Sequence, residues 1–376
     1  MTKRTTPVMA NPRLLRQKQA FSQPDIFAAE GMPAVNWDHI VNLTDNTGII
    51  QHALHNMPNR KEGYCIDDNA RALLLTVFAC RHEKDPVAHG LMPVYLSFIH
   101  YMQTDDGYFK NFMSYTKSCA EVYGSEDAYG RTMLALGYLI NEGHNRLLVK
   151  TGREIFAKAF KHVDELVSLR GIANSIIGTC QYIKATYPDD RKEEAVVQLA
   201  NKLLHGYTAN QLDGWNWFDN ILTYDNAILP LALLNAFEIT MNKQYLDVAL
   251  ESMHFLESVV LKDAVLNPVG NAEWYRQGAQ CSVFDQQGID AMAMVLLYQQ
   301  AFRITRNKKY VFRMQQCYQW FLGLNAVGVP LYDAATGGCC DGLQADGANS
   351  NQGAESTIAY WISHLVMVQT LKDIQE

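Results

Sequence analysis

Hydrophobic positions along the chain recur at helical spacing, and strand-like alternation is scarce. The pattern predicts twelve helices, near 36–56, 67–81, 87–102, 126–142, 151–167, 170–186, 192–207, 223–241, 244–261, 286–304, 308–323 and 352–373. They alternate in character. Segments such as Ala72-Leu-Leu-Leu-Thr-Val-Phe-Ala79 and Ala227-Ile-Leu-Pro-Leu-Ala-Leu-Leu234 are apolar nearly all round and belong inside. Their neighbours, such as Arg153-Glu-Ile-Phe-Ala-Lys-Ala-Phe-Lys-His162, carry one apolar stripe and belong outside.

Each inner segment opens on a polar mouth. Gly63-Tyr-Cys-Ile-Asp-Asp-Asn-Ala-Arg71, Ser125-Glu-Asp-Ala-Tyr-Gly-Arg131, Thr223-Tyr-Asp-Asn226, Phe284-Asp-Gln-Gln-Gly-Ile-Asp290 and Asn351-Gln-Gly-Ala-Glu-Ser356 are five of them. Mouths near 68, 127, 171, 225, 286 and 353 lie about 44 to 67 residues apart, the length of one helical hairpin and a loop. Six such hairpins predict an all-α fold, an (α/α)6 toroid, with an open solenoid as the alternative. No linker follows residue 35, so an irregular arm over 1–34 and one domain over 35–376 are expected.

Composition narrows the function. A net charge of −7 without a basic cluster speaks against nucleic acid as partner. No apolar run approaches the ~20 residues of a membrane span, and the N-terminus has no signal-peptide core. Eight scattered cysteines without a Cys-x-x-Cys pattern fit a reduced, cytoplasmic protein with neither disulfide framework nor zinc site. His52 and His55 stand at i,i+3, but no acid or cysteine completes a metal site, so a surface or core role is expected. Nucleotide, serine-hydrolase and zinc-protease motifs are absent, and no cofactor is expected.

The stretches Tyr64-Cys-Ile-Asp-Asp-Asn-Ala-Arg71, Gly124-Ser-Glu-Asp-Ala-Tyr-Gly-Arg131 and Gly337-Gly…Asp341-Gly…Asn351-Gln-Gly-Ala-Glu-Ser-Thr357 resemble a family of the six-hairpin glycosidase superfamily. The resemblance covers residues 40–370. It implies a toroid acting on carbohydrate, and a glycosyltransferase as partner, since members occur alone or attached to such domains.

Glycoside cleavage needs one protonated and one ionised carboxyl group facing each other across the bond. The catalytic candidates are Asp68, Asp127, Asp285 and Glu355. Adjacent acids on a helix diverge by ~100°, which assigns Asp68 to the pocket and leaves Asp67 to brace Arg71 at i,i+4. The same spacing pairs Asp127 with Arg131. Glu355, among apolar neighbours, is expected as the protonated acid, with Asp225 and Asp285 across the ring. Rings for sugar faces are Tyr64, Trp215, Trp217 and Trp274, whereas Trp320 and Trp361 lie within helices and read as core. Asn69, Asp219, Asp225, Asp341 and Gln352 complete a set of groups for sugar hydroxyls.

The leading expectation is therefore an inverting glycoside hydrolase with an oligosaccharide substrate. A phosphorylase would use Arg71 or Arg131 as a phosphate clamp. A sugar epimerase would prefer histidines at the cavity floor, and a non-catalytic glycan-binding module would tolerate loss of any single acid.

Overall fold

The computed structural model describes residues 32–81, 85–186 and 188–375. The arm expected over 1–34 lies outside the described residues as far as residue 31. Among the described residues twelve α-helices follow in chain order. They are α1 (Asp38–Leu43), α2 (Ile66–Ala79), α3 (Pro86–Met102), α4 (Glu126–Glu142), α5 (Arg146–Ala159) and α6 (Leu169–Thr186). The second half holds α7 (Asp190–Asn210), α8 (Ile228–Thr240), α9 (Lys243–Val260), α10 (Gly288–Thr305), α11 (Lys309–Gln319) and α12 (Ala354–Gln375).

Even-numbered helices α2, α4, α6, α8, α10 and α12 form the inner ring, and odd-numbered α1, α3, α5, α7, α9 and α11 stand outside it. Each inner helix packs on the next, and α12 packs back on α2. That closure makes the molecule an (α/α)6 toroid and rules out the open solenoid. Amphipathicity explains the layers. Twelve of the fourteen residues of α2 are buried, whereas α5 buries only Gly152, Ile155, Phe156 and Ala159, one stripe at i, i+3, i+4 and i+7.

Close packing inside the ring needs glycine where α4 meets α6. Gly130 sits against Gly171 and Gly137 against Gly178; a Cβ on Gly137 would lie 2.1 Å from the Gly178 carbonyl oxygen. Among the described residues no helix is long and apolar enough to cross a membrane.

Two expected helices are shorter than periodicity suggests. The helix expected over 36–56 stops at Leu43, because Asp45 accepts the Thr47 amide and begins a tight turn. The helix expected from 223 begins at Ile228. Asn226 closes a turn onto the Thr223 amide (3.0 Å), and Asp225 takes a left-handed backbone, φ 49°. That turn leaves Asp225 ahead of the helix, at the floor of the ring.

Candidate active site

The first mouth is a small strand, Tyr64–Cys65, paired with Phe112–Met113, running into α2. Cys65 caps the helix through its sulfur, which accepts the Asp68 amide at 3.4 Å. Its thiol donates in turn to Asp68 Oδ2 (3.0 Å), while Arg71 Nη1 donates to Asp68 Oδ1 (2.7 Å). The other arm of Arg71 reaches Glu355 Oε2 at 2.7 Å. Arg131 works in the same way on α4. Its Nη1 meets Asp67 Oδ1 at 2.8 Å and its Nη2 meets Asp225 Oδ2 at 3.1 Å. Two guanidinium groups thus hold four carboxyl groups from three mouths.

All of these groups but Asp225 face an open cavity of about 420 Å³ at the ring end where the inner helices begin; Asp225 lines a smaller void bounded by the same Arg71 and Arg131. Five of its walls are acids: Asp67, Asp68, Asp127, Asp341 and Glu355. Asp127 accepts hydroxyl protons from both Ser168 and Tyr224. Tyr224 is fixed by Arg170, which lies over its ring at 4.2 Å and donates to its carbonyl at 2.7 Å. Asp341 accepts the Gly353 amide at 2.7 Å, which leaves its second oxygen without a protein partner in this bond.

Burial decides which acids keep a proton. It pushes Asp341 up to about 6; the Gly353 amide and His52 oppose the shift, and the charges of Glu355 and Asp68 add to it. Asp68 is raised by burial, against the pull of Arg71. Asp225 is raised by burial against Arg131 and Arg170. Asp290 on α10 is buried as well. Burial and then the Asp225 charge hold it well above the carboxylate range, and its Oδ2 has no hydrogen-bond partner.

The cavity gathers many of the residues the sequence singles out, with different pairings. Asp68, not Asp67, braces Arg71, and Arg131 pairs with Asp67 and Asp225 rather than with Asp127. The i,i+4 pairing gives way to an i,i+3 partner in Asp68 and to partners from other hairpins in Glu355, Asp67 and Asp225. Glu355, expected as the protonated acid, faces the Arg71 guanidinium instead. Asp285 does not line the cavity; Gln287, two residues on, does.

The expected aromatic platforms are mostly core. Trp217 and Trp215 are buried, and Trp215 donates its indole N–H to the Asp219 carbonyl at 2.8 Å with its edge on Phe255. Asp219 is spent on the same turn, accepting the Asn220 amide. Tyr64 is buried with its hydroxyl on Asp45 (2.6 Å). Trp274 is one ring removed, its centroid 6.0 Å from that of Tyr224. Asn69 holds the Ile49 amide and the Cys65 carbonyl, and Gln352 holds Thr336 and Asp333, so both amides serve the scaffold. Trp320 and Trp361 are core as expected.

Residues missed from sequence are equally plain. Tyr224, Gln287, Asn111 and His52 line the cavity. Tyr224 stands in a polar mouth beside Asp225, and that adjacency is its signal in the sequence. His52 had none, since it reaches the cavity only through the loop after α1. Among the described residues no group of three or more His, Cys, Asp or Glu side chains is placed to hold a metal ion.

No protein-family model matches the chain, and no curated protein does. Solved structures do. Cellobiose 2-epimerase from Spirochaeta thermophila superposes with a TM-score of 0.71 at 10% identity, over 98% of this chain and 100% of that one. A family 76 α-mannanase from Bacteroides thetaiotaomicron gives 0.66 at 11% identity, over 89% and 94%. An α-1,6-mannanase of Salegentibacter, in a variant described as inactive with two consecutive aspartates changed to alanine and in complex with α-1,6-mannotetrose, gives 0.61 at 12% identity, over 89% and 96%. The chain thus shares the (α/α)6 fold of these epimerase and mannanase structures.

Proposed function

We propose that the cavity is the active site of a glycoside hydrolase acting on an oligosaccharide, with Asp341 as general acid and Asp67 as general base. The observation that carries this reading is the meeting of carboxyl groups in opposite settings in one open cavity. Asp341 is raised to about 6 by burial, a range in which a carboxyl group can donate a proton near neutral pH. Asp67 lies against Arg131 with one oxygen engaged. Asp67 stands in the first turn of α2, and Asp341 in the connection before α12, bonded to the Gly353 amide. Their places on different hairpins favour the inverting mode, because a water must fit between base and sugar. Replacement of two consecutive aspartates in the inactive mannanase is in keeping with a role for the Asp67-Asp68 pair.

The other chemistries find less support. Arg71 and Arg131 each already face two carboxyl groups, which leaves neither as a ready phosphate clamp. His52 is the one histidine among the residues lining the cavity, where an epimerase would prefer a histidine acid and base. The test is incubation with α-linked manno-oligosaccharides and β-linked gluco-oligosaccharides, with and without inorganic phosphate. New reducing ends in plain buffer, unchanged by phosphate, are expected. Conversion of the reducing sugar to its epimer with no new reducing ends would overturn the proposal.

A further inference from the structure

A second cavity of about 430 Å³ opens beside the first. Ser125, the N-cap of α4, lines both. The first cavity is walled by charge. The second is walled by rings: Tyr108 stacks on His162 at 4.0 Å, and Tyr123 packs on Tyr108 at 5.0 Å. Glu126 and Glu165 stand at its rim.

We infer that this cleft is a saccharide subsite, extending the binding site so that the enzyme takes a chain of several sugars rather than a disaccharide. The inference rests on the glycosidase reading of the main cavity. A pyranose has one face of C–H groups and an equator of hydroxyls, so it binds where flat rings stand next to carboxylates. Tyr123 is 54% exposed although it is a large ring. Its hydroxyl is fixed by Asp106 at 2.7 Å, and this holds the ring in place in the free protein.

The arrangement is local to one connection. Tyr108, Phe112, Tyr115 and Tyr123 all lie between α3 and α4, and Phe112, which is half exposed, lines the main cavity. Exposed rings in that connection, next to a polar cavity, are costly unless something covers them. Glu165 is engaged by Tyr108 and His162, and Glu126 accepts the Val167 and Ser168 amides on Oε2. Glu126 Oε1 is therefore the main acceptor left for the hydroxyls of a sugar chain, the occupant that fits here. His162 is itself fixed, its Nε2 2.9 Å from the Asp106 carbonyl, so the stacked pair is a preformed floor.

The test is calorimetric titration of four sugars into the Asp341→Asn protein: α-1,6-mannobiose and α-1,6-mannotetraose, cellobiose and cellotetraose. The same titrations are made with Tyr123→Ala and Tyr123→Phe added. In the series that binds, the tetrasaccharide is expected to bind about tenfold tighter than the disaccharide. Tyr123→Ala should remove most of that gap and leave the disaccharide unchanged, and Tyr123→Phe, which keeps the ring, should restore it. Equal affinities for the two lengths, or a gap that survives Tyr123→Ala, would overturn the subsite and leave the main cavity standing. Binding of none of the four sugars, by this protein or by the unaltered one, would overturn the glycosidase reading and the subsite with it.

Discussion

Arg71 Nη2 meets Glu355 Oε2 at 2.7 Å, and this contact joins the last inner helix of the ring to the first. The same guanidinium holds Asp68, so the ring closure and the cavity floor share one side chain. Arg71→Met would leave Asp68 buried beside Glu355 with no cation. Breaking a buried pair from one side costs about 3–5 kcal/mol, and urea unfolding should show a loss of that size. A loss under about 1 kcal/mol, the value of an exposed pair, would mean that the floor is wetter than the packing indicates.

Asp341 couples stability to pH. Its folded pKa of about 6 lies above the ordinary 3.8, so the unfolded chain releases this proton first as pH rises. The native state is therefore favoured in full below about 4, and the benefit is lost as pH climbs to about 6. Asp341→Asn keeps an acceptor for the Gly353 amide and removes the ionisation. The variant is expected to gain about 1–3 kcal/mol at pH 7 and none at pH 3.5. Equal gains at both pH values would point to packing instead.

Gly137 is the tightest of the α4–α6 contacts. A methyl group there meets the backbone of Gly178 at 2.1 Å, and backbone cannot swing aside. Gly137→Ala should destabilise by at least about 1–3 kcal/mol, despite alanine's better helix propensity. An unchanged thermal midpoint would contradict this packing.

The two acids that sequence and structure rank differently are directly comparable. Asp67 lines the cavity, and Asp285 does not. Asp67→Asn is expected to lower kcat by about 10²–10⁴-fold, the usual worth of a general base. Asp285→Asn should change kcat less than about twofold on the same scale. The reverse order in initial rates would return the base to the later hairpin.

Much of the ring was legible because its signals are local. The apolar faces of α2, α8 and α10 and the N-cap Ser125 need no partner to be read, and the expected helix over 126–142 matches α4 to the residue. What the chain could not show was which groups meet. Asp67 and Arg71 have the spacing of a helical ion pair, yet Arg71 selects Asp68 and Glu355, the latter from the far end of the chain. Trp215 and Trp217 sit among Asp, Gly and Asn, as platforms do, but their loop folds back onto Phe255 of α9 and buries them. Asp290 lies in the first turn of a helix apolar enough to bury it, and that burial is why it is perturbed.

The pH dependence of kcat/KM on the fastest-cleaved oligosaccharide tests the two-carboxyl mechanism most directly. Asp341 must be protonated to act, so activity should fall as pH rises through about 6. Asp341→Asn should lose turnover at every pH, with its fold intact by circular dichroism. A profile flat from pH 5 to 8, or full activity in Asp341→Asn, would contradict the assignment of the acid and the mechanism built on it.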